Sequence, residues 1–373
     1  MLNRRHFLAT CSAAAVSGFA ARAAGSGAPF SFILLGDLHF DRWEHHDLKW
    51  LEAHKPGDLS QIRNYTRLTS EVMPKLFAEV KARIAALQAT DAPPAFVVQV
   101  GDLVEGLCGN EELAALQNRE AIEFVNKAGL GLPLLFTKGN HDVTGDGAVA
   151  AFDHVLQPYM VQQARLVDRK SAHAGGNYTA TFGDTQFAFF DAYDKTSLDW
   201  LEAVAAARTA RHLFVAVHPP VVPYGARASW YLYAGDKGRK QRDKLVNLLG
   251  AQEAMVLGGH LHKFASLTRV AGGKKFTQLA VSSVVSEPAQ KIRDVLHGTD
   301  AYIADQVELE PRHSPETAAA RRQIYDAERQ AVTAFEYADT SGYAVVTVRG
   351  AEVTAQAYAG TATTPFQTVQ LSV

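Results

Sequence analysis

Short apolar segments rich in β-branched residues recur along this chain, and they constrain its fold more than any other feature. Segments of this kind are typical of strands in a sheet that is covered on both faces. Helical patterns lie between several of them, so the sequence predicts an α/β layered domain. The predicted strands are Phe30–Leu35, Ala95–Val100, Pro133–Thr137, Gln186–Phe190, His212–Val217, Ala254–Leu257 and Thr277–Val281. The predicted helices are Glu71–Leu87, Glu111–Ala128, Ser197–Ala207 and Lys240–Leu249.

The end of the chain has a different pattern. A charged helix is predicted over Ser314–Ala338, and a hairpin formed by Gly342–Val348 and Glu352–Tyr358 is expected to close a second sheet. Residues 40–69 and 143–178 are expected to be long active-site loops, because unstructured segments of that length in a compact domain usually carry function. No repeat or linker divides the chain, so residues 24–373 are expected to form one domain that includes the C-terminal helix and hairpin.

Composition narrows the class of protein. The chain has 373 residues, of which 47% are hydrophobic and 20% charged, as in an ordinary soluble globular protein. A formal net charge of −2 gives no strong signal for nucleic-acid binding. Two cysteines exclude a disulfide-rich scaffold and a zinc finger built from cysteines.

The N-terminus has the three parts of an export signal. The basic pair Arg4-Arg5 precedes an alanine-rich run over residues 7–21, and small residues follow at a possible cleavage site. The arginine pair resembles a twin-arginine signal. The apolar run is too short to span a bilayer comfortably. We therefore expect residues 1–23 to be a removable signal peptide and the mature chain to be periplasmic or secreted, without a membrane span. A lipoprotein signal ending at Cys11 is an alternative that fits less well.

Polar side chains that commonly bind metals follow most of the predicted strands. Because ligands in open α/β sheets bind beyond the carboxyl ends of the strands, we expect these side chains to lie together. The set offers nitrogen and oxygen donors without a thiolate, which suits Mn, Fe or Zn. Each motif alone is weak, but five in order, each after a strand, are not expected by chance. The motifs are Asp37-x-His39, Gly101-Asp102, Gly139-Asn140-His141-Asp142, His218 and Gly259-His260-x-His262.

These five motifs together resemble the signature of the calcineurin-like metallophosphoesterases. The resemblance implies a four-layer α/β-β/α sandwich, in which two mixed sheets are flanked by helices and a two-metal site lies at one edge. It also implies two divalent or trivalent metal ions, with Mn, Fe and Zn as candidates. One ion would take Asp37, His39 and His262, the other would take Asn140, His218 and His260, and Asp102 would bridge them.

The same resemblance implies a reaction. The chain would hydrolyse a small-molecule phosphate mono- or diester by attack of a metal-bound hydroxide, with His141 as a general acid or charge stabiliser. Glu105 stands three residues after Asp102, where related phosphatases often carry an acid that orients the catalytic histidine. We therefore predict a catalytic pair of His141 and Glu105. No substrate-binding residue is predicted.

Two alternative functions remain open at this stage. A phosphodiesterase acting on cyclic nucleotides or glycerophosphodiesters would carry the same motifs. A non-catalytic scaffold of the same fold is the alternative from another class, although such relatives usually lose ligands. The purple acid phosphatase branch is disfavoured, because Glu105 occupies the position where that branch has a tyrosine ligand.

Three further features have both a functional and a structural interpretation. His45, His46 and Asp47 are expected to lie in a solvated loop rather than to form a third metal site. Asp142 is expected to cap a turn. Substrate phosphate binding and loop packing are both open for Arg42, Arg63 and Arg67.

Overall fold

The computed structural model describes residues 27–225, 231–303 and 318–373. The expected signal peptide, residues 1–23, lies outside the described residues. Among the helices of the described ranges, none has both the length and the apolar character needed to cross a bilayer.

The strands of the described chain form two mixed sheets. The strands are β1 (Phe30–Leu35), β2 (Pro94–Gln99), β3 (Leu134–Phe136), β4 (His173–Ala174), β5 (Asn177–Phe182), β6 (Thr185–Phe189), β7 (His212–Ala216), β8 (Met255–Gly258), β9 (Phe264–Ala271), β10 (Lys274–Ala280), β11 (Arg293–His297), β12 (Val332–Asp339), β13 (Gly342–Arg349), β14 (Glu352–Ala359) and β15 (Gln367–Gln370). The first sheet has the order β15-β14-β13-β1-β2-β3, and the second has the order β11-β12-β9-β10-β8-β7-β6-β5-β4.

Helices connect the strands and cover the outer faces of both sheets. They are α1 (Leu48–His54), α2 (Leu59–Glu71), α3 (Met73–Leu87), α4 (Glu111–Ala128), α5 (Ala148–Ala151), α6 (Gln157–Val167), α7 (Ser197–Ala207), α8 (Arg239–Ala251) and α9 (Ala318–Arg329). A π-helical turn, Phe152–Leu156, joins α5 to α6. Buried residues of α3 and α4 pack with the first sheet, and those of α7 and α8 pack with the second.

Aromatic side chains fill the space between the two sheets. Phe32 of β1 meets Phe187 and Phe214 of the second sheet edge-on, with ring centroids 5.4 and 5.3 Å apart. All three rings are fully buried, and edge-to-face contacts of this kind are favourable beyond the area they bury. The layers therefore run helix, sheet, sheet, helix, which confirms the predicted four-layer sandwich with two mixed sheets.

Parallel pairing decides where the strands end. In the first sheet β1 pairs in parallel with β2, and β2 with β3. In the second sheet β6, β7 and β8 are successive parallel neighbours. Parallel neighbours have their carboxyl ends at the same edge, so the segments that follow five of these strands can meet.

The two segments expected to be long loops contain helices. Residues 40–69 include α1 and most of α2, and residues 143–178 include α5, the π-helical turn and α6. Helix α2 is mostly polar, but a helical pattern is present in its sequence, because the buried residues recur at helical spacing as Ile62, Tyr65, Leu68 and Thr69. The π-helical turn adds a residue to one turn and shifts the apolar stripe of the long α5–α6 segment. The expectation of loops there was wrong.

The C-terminal segment also departs from expectation. The predicted helix over Ser314–Ala338 is wrong beyond Arg329, where α9 ends and β12 follows as a strand paired with β9. A register irregularity between Val332 and Ala334 interrupts the alternation that would have indicated a strand. The predicted hairpin is present as β13 and β14, but it extends the sheet that contains β1 instead of closing a second one. Residues 314–317 lie outside the described ranges.

Candidate metal centre

The segments that follow β1, β2, β3, β7 and β8 converge at one edge of the sandwich. They bring all the predicted metal ligands into one cluster whose side chains are mostly buried. The cluster contains Asp37, His39, Asp102, Asn140, His218, His260 and His262.

One half of the cluster consists of Asp37, His39 and His262. The Nε2 atoms of His39 and His262 lie 3.1 Å apart, and His262 Nε2 lies 3.6 Å from Asp37 Oδ1. The potential ligand atoms of these three residues are all within 4.8 Å of one another. A single cation could therefore contact all three.

The other half is arranged around His218. Its Nε2 lies 3.1 Å from both Asn140 Oδ1 and His260 Nδ1. Asp102 lies between the halves, since its Oδ2 is 3.0 Å from His218 Nε2 and 3.6 Å from His39 Nε2. One carboxylate thus faces both groups of ligands.

The backbone at these positions is unusual. Four of the cluster residues have positive φ, a conformation that non-glycine residues rarely adopt and that is concentrated at functional sites. These residues and their φ values are His39 (48°), Asp102 (55°), His260 (72°) and His262 (56°). Gly139 allows the β3 loop to approach, because a Cβ there would lie 2.1 Å from Asp102 Oδ1.

Backbone hydrogen bonds tie the loops to one another. The His260 N–H donates to Asp37 Oδ1, and the His141 N–H donates to Asp102 Oδ1, each at 2.8 Å. Asp102 therefore holds a neighbouring loop with Oδ1 and turns Oδ2 towards the histidines, whereas Asp37 Oδ1 both holds the His260 loop and lies near His262. Asp37 Oδ2 is buried and, within the described part of the chain, has no hydrogen-bond partner.

The donor set fits a metal ion. His39 Nδ1 donates to the Glu105 carboxylate at 2.7 Å, and His218 Nδ1 donates to the Val100 carbonyl at 2.8 Å. With those N–H groups in use, the Nε2 lone pairs of both rings face the cluster, which is the usual arrangement of metal-binding histidines. A buried carboxylate oxygen with no hydrogen-bond partner is costly unless a cation compensates it. Asp37 Oδ2 is such an atom, so the residues present fit divalent metals.

Electrostatics favour the ligand forms of the two carboxylates. Burial raises the pKa of Asp102, but His218 and His141 outweigh it and hold that pKa well below its usual value. Burial also raises the pKa of Asp37, but the nearby His262 lowers it by more, so the pKa of Asp37 lies below its usual value. Burial and the neighbouring His141 hold the pKa of His39 well below its usual value, so its ring is neutral.

His218 shows where a cation would compete with a proton. Burial lowers the pKa of His218, but the carboxylates of Asp102 and Asp37 outweigh burial and raise that pKa to about 9. Metal binding releases protons from ligands of this kind, so affinity for metal should increase with pH.

His141 lies at the border of the cluster. Its Nδ1 donates to the backbone carbonyl of Glu105 at 2.8 Å, and its side chain is 19% exposed. Burial lowers the pKa of His141, but Glu105 and Asp102 raise it above its usual value. Its ring also comes within 4.8 Å of ligand atoms of His39 and Asp102.

Glu105 makes contacts with two histidines. Its Oε2 accepts the short hydrogen bond from His39 and lies 3.3 Å from His141 Nδ1. Its Oε1 accepts a hydrogen bond from Gln61 Nε2 at 2.8 Å. Burial raises the pKa of Glu105, and His141 partly offsets this effect. The hydrogen bond to His39 was not foreseen from sequence, and the catalytic pairing of Glu105 with His141 stays a prediction.

Asp142 does more than cap a turn. Its carboxylate accepts backbone N–H groups from Gly139 at 2.7 Å and from Asp102 and Val104 at 3.1 Å each. It therefore joins the loop after β3 to the loop after β2. Burial and the Asp102 carboxylate raise its pKa to about 7.

The histidines at positions 45 and 46 belong to a buried structure, so the expectation of a solvated loop was wrong. His45 and His46 are 0% and 6% exposed, and His46 Nε2 donates to Asp41 at 2.8 Å. Asp47 caps α1. Among the described residues, the groups able to hold a metal do not include any of positions 45–47.

The three arginines considered for phosphate binding have protein partners. Arg42 pairs with Glu120. Arg63 lies over the Trp43 ring. Arg67 pairs with Glu71 at 3.5 Å. The interpretation as packing residues is the one that these contacts support.

Comparison with solved structures places the architecture among known phosphatases. The structure of PhoD aligns with a TM-score of 0.52 and 13% identity over 93% of this chain and 69% of that chain. A purple acid phosphatase from yellow lupin seeds aligns with a TM-score of 0.54 and 12% identity over 93% of this chain and 54% of its own length. A dimetal phosphatase from Danio rerio aligns with a TM-score of 0.50 and 11% identity, over 93% and 99% of the two chains. At such identities these similarities demonstrate the fold alone.

Sequence comparison identifies the family. No curated protein sequence matches this chain significantly. The sequence profile of the calcineurin-like phosphoesterases matches residues 30–264, which is more than half of the chain and spans every candidate ligand. The predicted resemblance is thereby confirmed at the level of the family. The chain belongs to the calcineurin-like phosphoesterase family and is a metal-dependent phosphoesterase.

Proposed function

We propose that this protein is an exported two-metal phosphoesterase that hydrolyses phosphate mono- or diesters of small molecules. The observation that carries the proposal is the position of Asp102, whose Oδ2 lies within 3.6 Å of ring nitrogens from both halves of the cluster. A carboxylate between two groups of nitrogen and oxygen donors is the arrangement that a bridging ligand needs.

Two ions would divide the cluster between them. Asp37, His39 and His262 would hold one ion, and Asn140, His218 and His260 would hold the other, with Asp102 as a shared ligand. Donors of this type suit Mn, Fe or Zn. When bound, such ions supply Lewis-acid activation of water and neutralise the charge on phosphate oxygens.

The chain's own residues supply orientation and a proton. His141 Nδ1 is engaged by the Glu105 carbonyl at 2.8 Å, so Nε2 is the ring atom left to face a substrate. Its proton would pass to the oxygen of the leaving group as the P–O bond breaks, which releases a neutral alcohol. The carboxylate of Glu105, 3.3 Å from Nδ1, would stabilise the charged ring before that transfer.

The alternative functions differ in how well the site supports them. A phosphodiesterase acting on cyclic nucleotides or glycerophosphodiesters would use the same cluster, so it remains a second candidate. A non-catalytic scaffold is less well supported, because every predicted ligand is present and His141 lies beside them. Scaffolds have no need to keep both features.

Metal-dependent hydrolysis tests the function. Protein stripped with a chelator should be inactive towards p-nitrophenyl phosphate and bis-p-nitrophenyl phosphate, and Mn, Zn or Fe should restore activity towards at least one. The ratio of the two rates would distinguish a monoesterase from a diesterase. A stripped protein that keeps its full rate would contradict metal dependence, and inactivity with all three metals would favour the scaffold.

Replacement of His141 tests the general acid. His141→Ala should slow hydrolysis of an alkyl phosphate by about 10²–10⁴-fold, because a poor leaving group needs a proton. The loss should be much smaller for a nitrophenyl ester, whose leaving group is stable as an anion. His154→Ala, at a side chain that is 72% exposed, is the matched control and should change neither rate. Equal slowing of both esters by His141→Ala would assign His141 to phosphate binding or metal ligation instead.

Export is proposed from Arg4-Arg5 and the alanine-rich run that follows them. Replacement of both arginines by lysine should leave unprocessed protein in the cytoplasm, as detected by fractionation and intact-mass measurement. Arg22→Lys, which lies outside the pair, should be exported normally. Normal processing of the double variant would refute the twin-arginine route and leave the phosphoesterase proposal untouched.

A further inference from the structure

We propose that helix α2 is a positioning element for the candidate metal ligand His39, and that it acts through Gln61 and Tyr65. The inference rests on the proposed two-metal function and concerns one half of its cluster. Gln61 and Tyr65 are four residues apart, so they lie on the same face of the helix.

Gln61 reaches His39 through Glu105. Its Nε2 donates to Glu105 Oε1 at 2.8 Å, and Glu105 Oε2 accepts the hydrogen bond from His39 Nδ1 at 2.7 Å. Glu105 is completely buried. Without the amide of Gln61, one oxygen of a buried carboxylate would lose its donor, and the carboxylate would be free to turn away from His39.

Tyr65 holds the plane of the same ring. The Tyr65 and His39 rings are stacked, with centroids 4.3 Å apart and an angle of 2° between their planes. They are 7% and 1% exposed. Glu105 therefore fixes the direction of His39 Nδ1 and Tyr65 fixes the tilt of its ring, so the Nε2 lone pair has one orientation.

The helix is itself attached to the segment that carries His39. Thr66 Oγ1 donates to Asp41 Oδ2, and Thr69 Oγ1 accepts the Asp41 N–H, both at 3.0 Å. Asp41 Oδ1 also accepts a hydrogen bond from Gln117 of α4 at 2.8 Å. These hydrogen bonds fix Asp41 against α2. Because His39 is only two residues before Asp41, they also restrict the backbone position of His39.

The other half of the cluster is oriented differently. His218 donates its Nδ1 proton to the carbonyl of Val100, at the end of β2. Asn140 is held by the loop after β3, in which Thr144 Oγ1 donates to the Asn140 carbonyl at 2.6 Å. Damage to α2 should therefore affect the ion held by Asp37, His39 and His262 more than its neighbour.

Metal titration of single variants tests the proposal. Purified protein is dialysed against graded concentrations of Mn or Zn, and bound metal per chain is measured by mass spectrometry of the elements. Gln61→Leu and Tyr65→Leu should each weaken one of two binding steps by about 10–100-fold, the usual effect of losing a partner of a ligand. The other step should change little. Tyr65→Phe keeps the ring that stacks on His39 and should retain most of the affinity that Tyr65→Leu loses.

Matched controls separate positioning from general loss of stability. Phe187→Leu removes a buried ring that is stacked on Phe214 between the sheets, and Gln163→Leu removes a glutamine that accepts the Leu134 N–H. Urea unfolding should show that both controls lose about as much unfolding free energy as Gln61→Leu and Tyr65→Leu. Both controls should nevertheless bind metal like the unchanged protein.

Three outcomes would overturn the role of α2. They are unchanged metal binding in Gln61→Leu and Tyr65→Leu, equal weakening of both binding steps, and the same loss in Tyr65→Phe as in Tyr65→Leu. If the unchanged protein binds fewer than two ions, the proposed two-metal function itself fails, which is a separate result.

Discussion

Two buried carboxylates determine how this site can be built. Asp37 and Asp102 are 0% and 1% exposed, and ionised groups removed from water need compensation by opposite charge and by hydrogen bonds. Histidine rings and backbone N–H groups supply part of it. The compensation is incomplete at Asp37 Oδ2, which is buried without a hydrogen-bond partner within the described residues, in a carboxylate that clusters with His39 and His262. A site of this composition is completed by cations.

The architecture places those charges without long loops. Parallel pairing brings the ends of β1, β2 and β3 to one edge of the first sheet, and those of β7 and β8 to the same region of the second. Each candidate ligand follows its strand by only a few residues. Its position is therefore fixed by the strand, which is held in the packed core between the sheets. The strained backbone at His39, Asp102, His260 and His262 is the local cost of aiming these side chains at one point.

Sequence patterns were informative where a residue's place depends on a nearby strand. The clustering of the candidate ligands from Asp37 to His262 could be predicted because each one closely follows an apolar strand, and these strands were predicted to within one or two residues. The supporting contacts could not be predicted in this way. Gln61 and Tyr65 lie on a mostly polar helix. The partner of Gln61, Glu105, is 44 residues away in the chain, and Tyr65 stacks on His39 of a different segment. The π-helical turn and the irregular register of β12 disturb the very periodicity on which such predictions depend.

Diffraction from crystals of the purified protein, with anomalous data collected at the Mn, Fe and Zn absorption edges, tests the central claim most directly. The account predicts two metal peaks per chain at the carboxyl ends of the strands. One peak should contact Asp37, His39 and His262, the other should contact Asn140, His218 and His260, and Asp102 should contact both. A single peak, or peaks that Asp102 does not share, would contradict the two-metal centre.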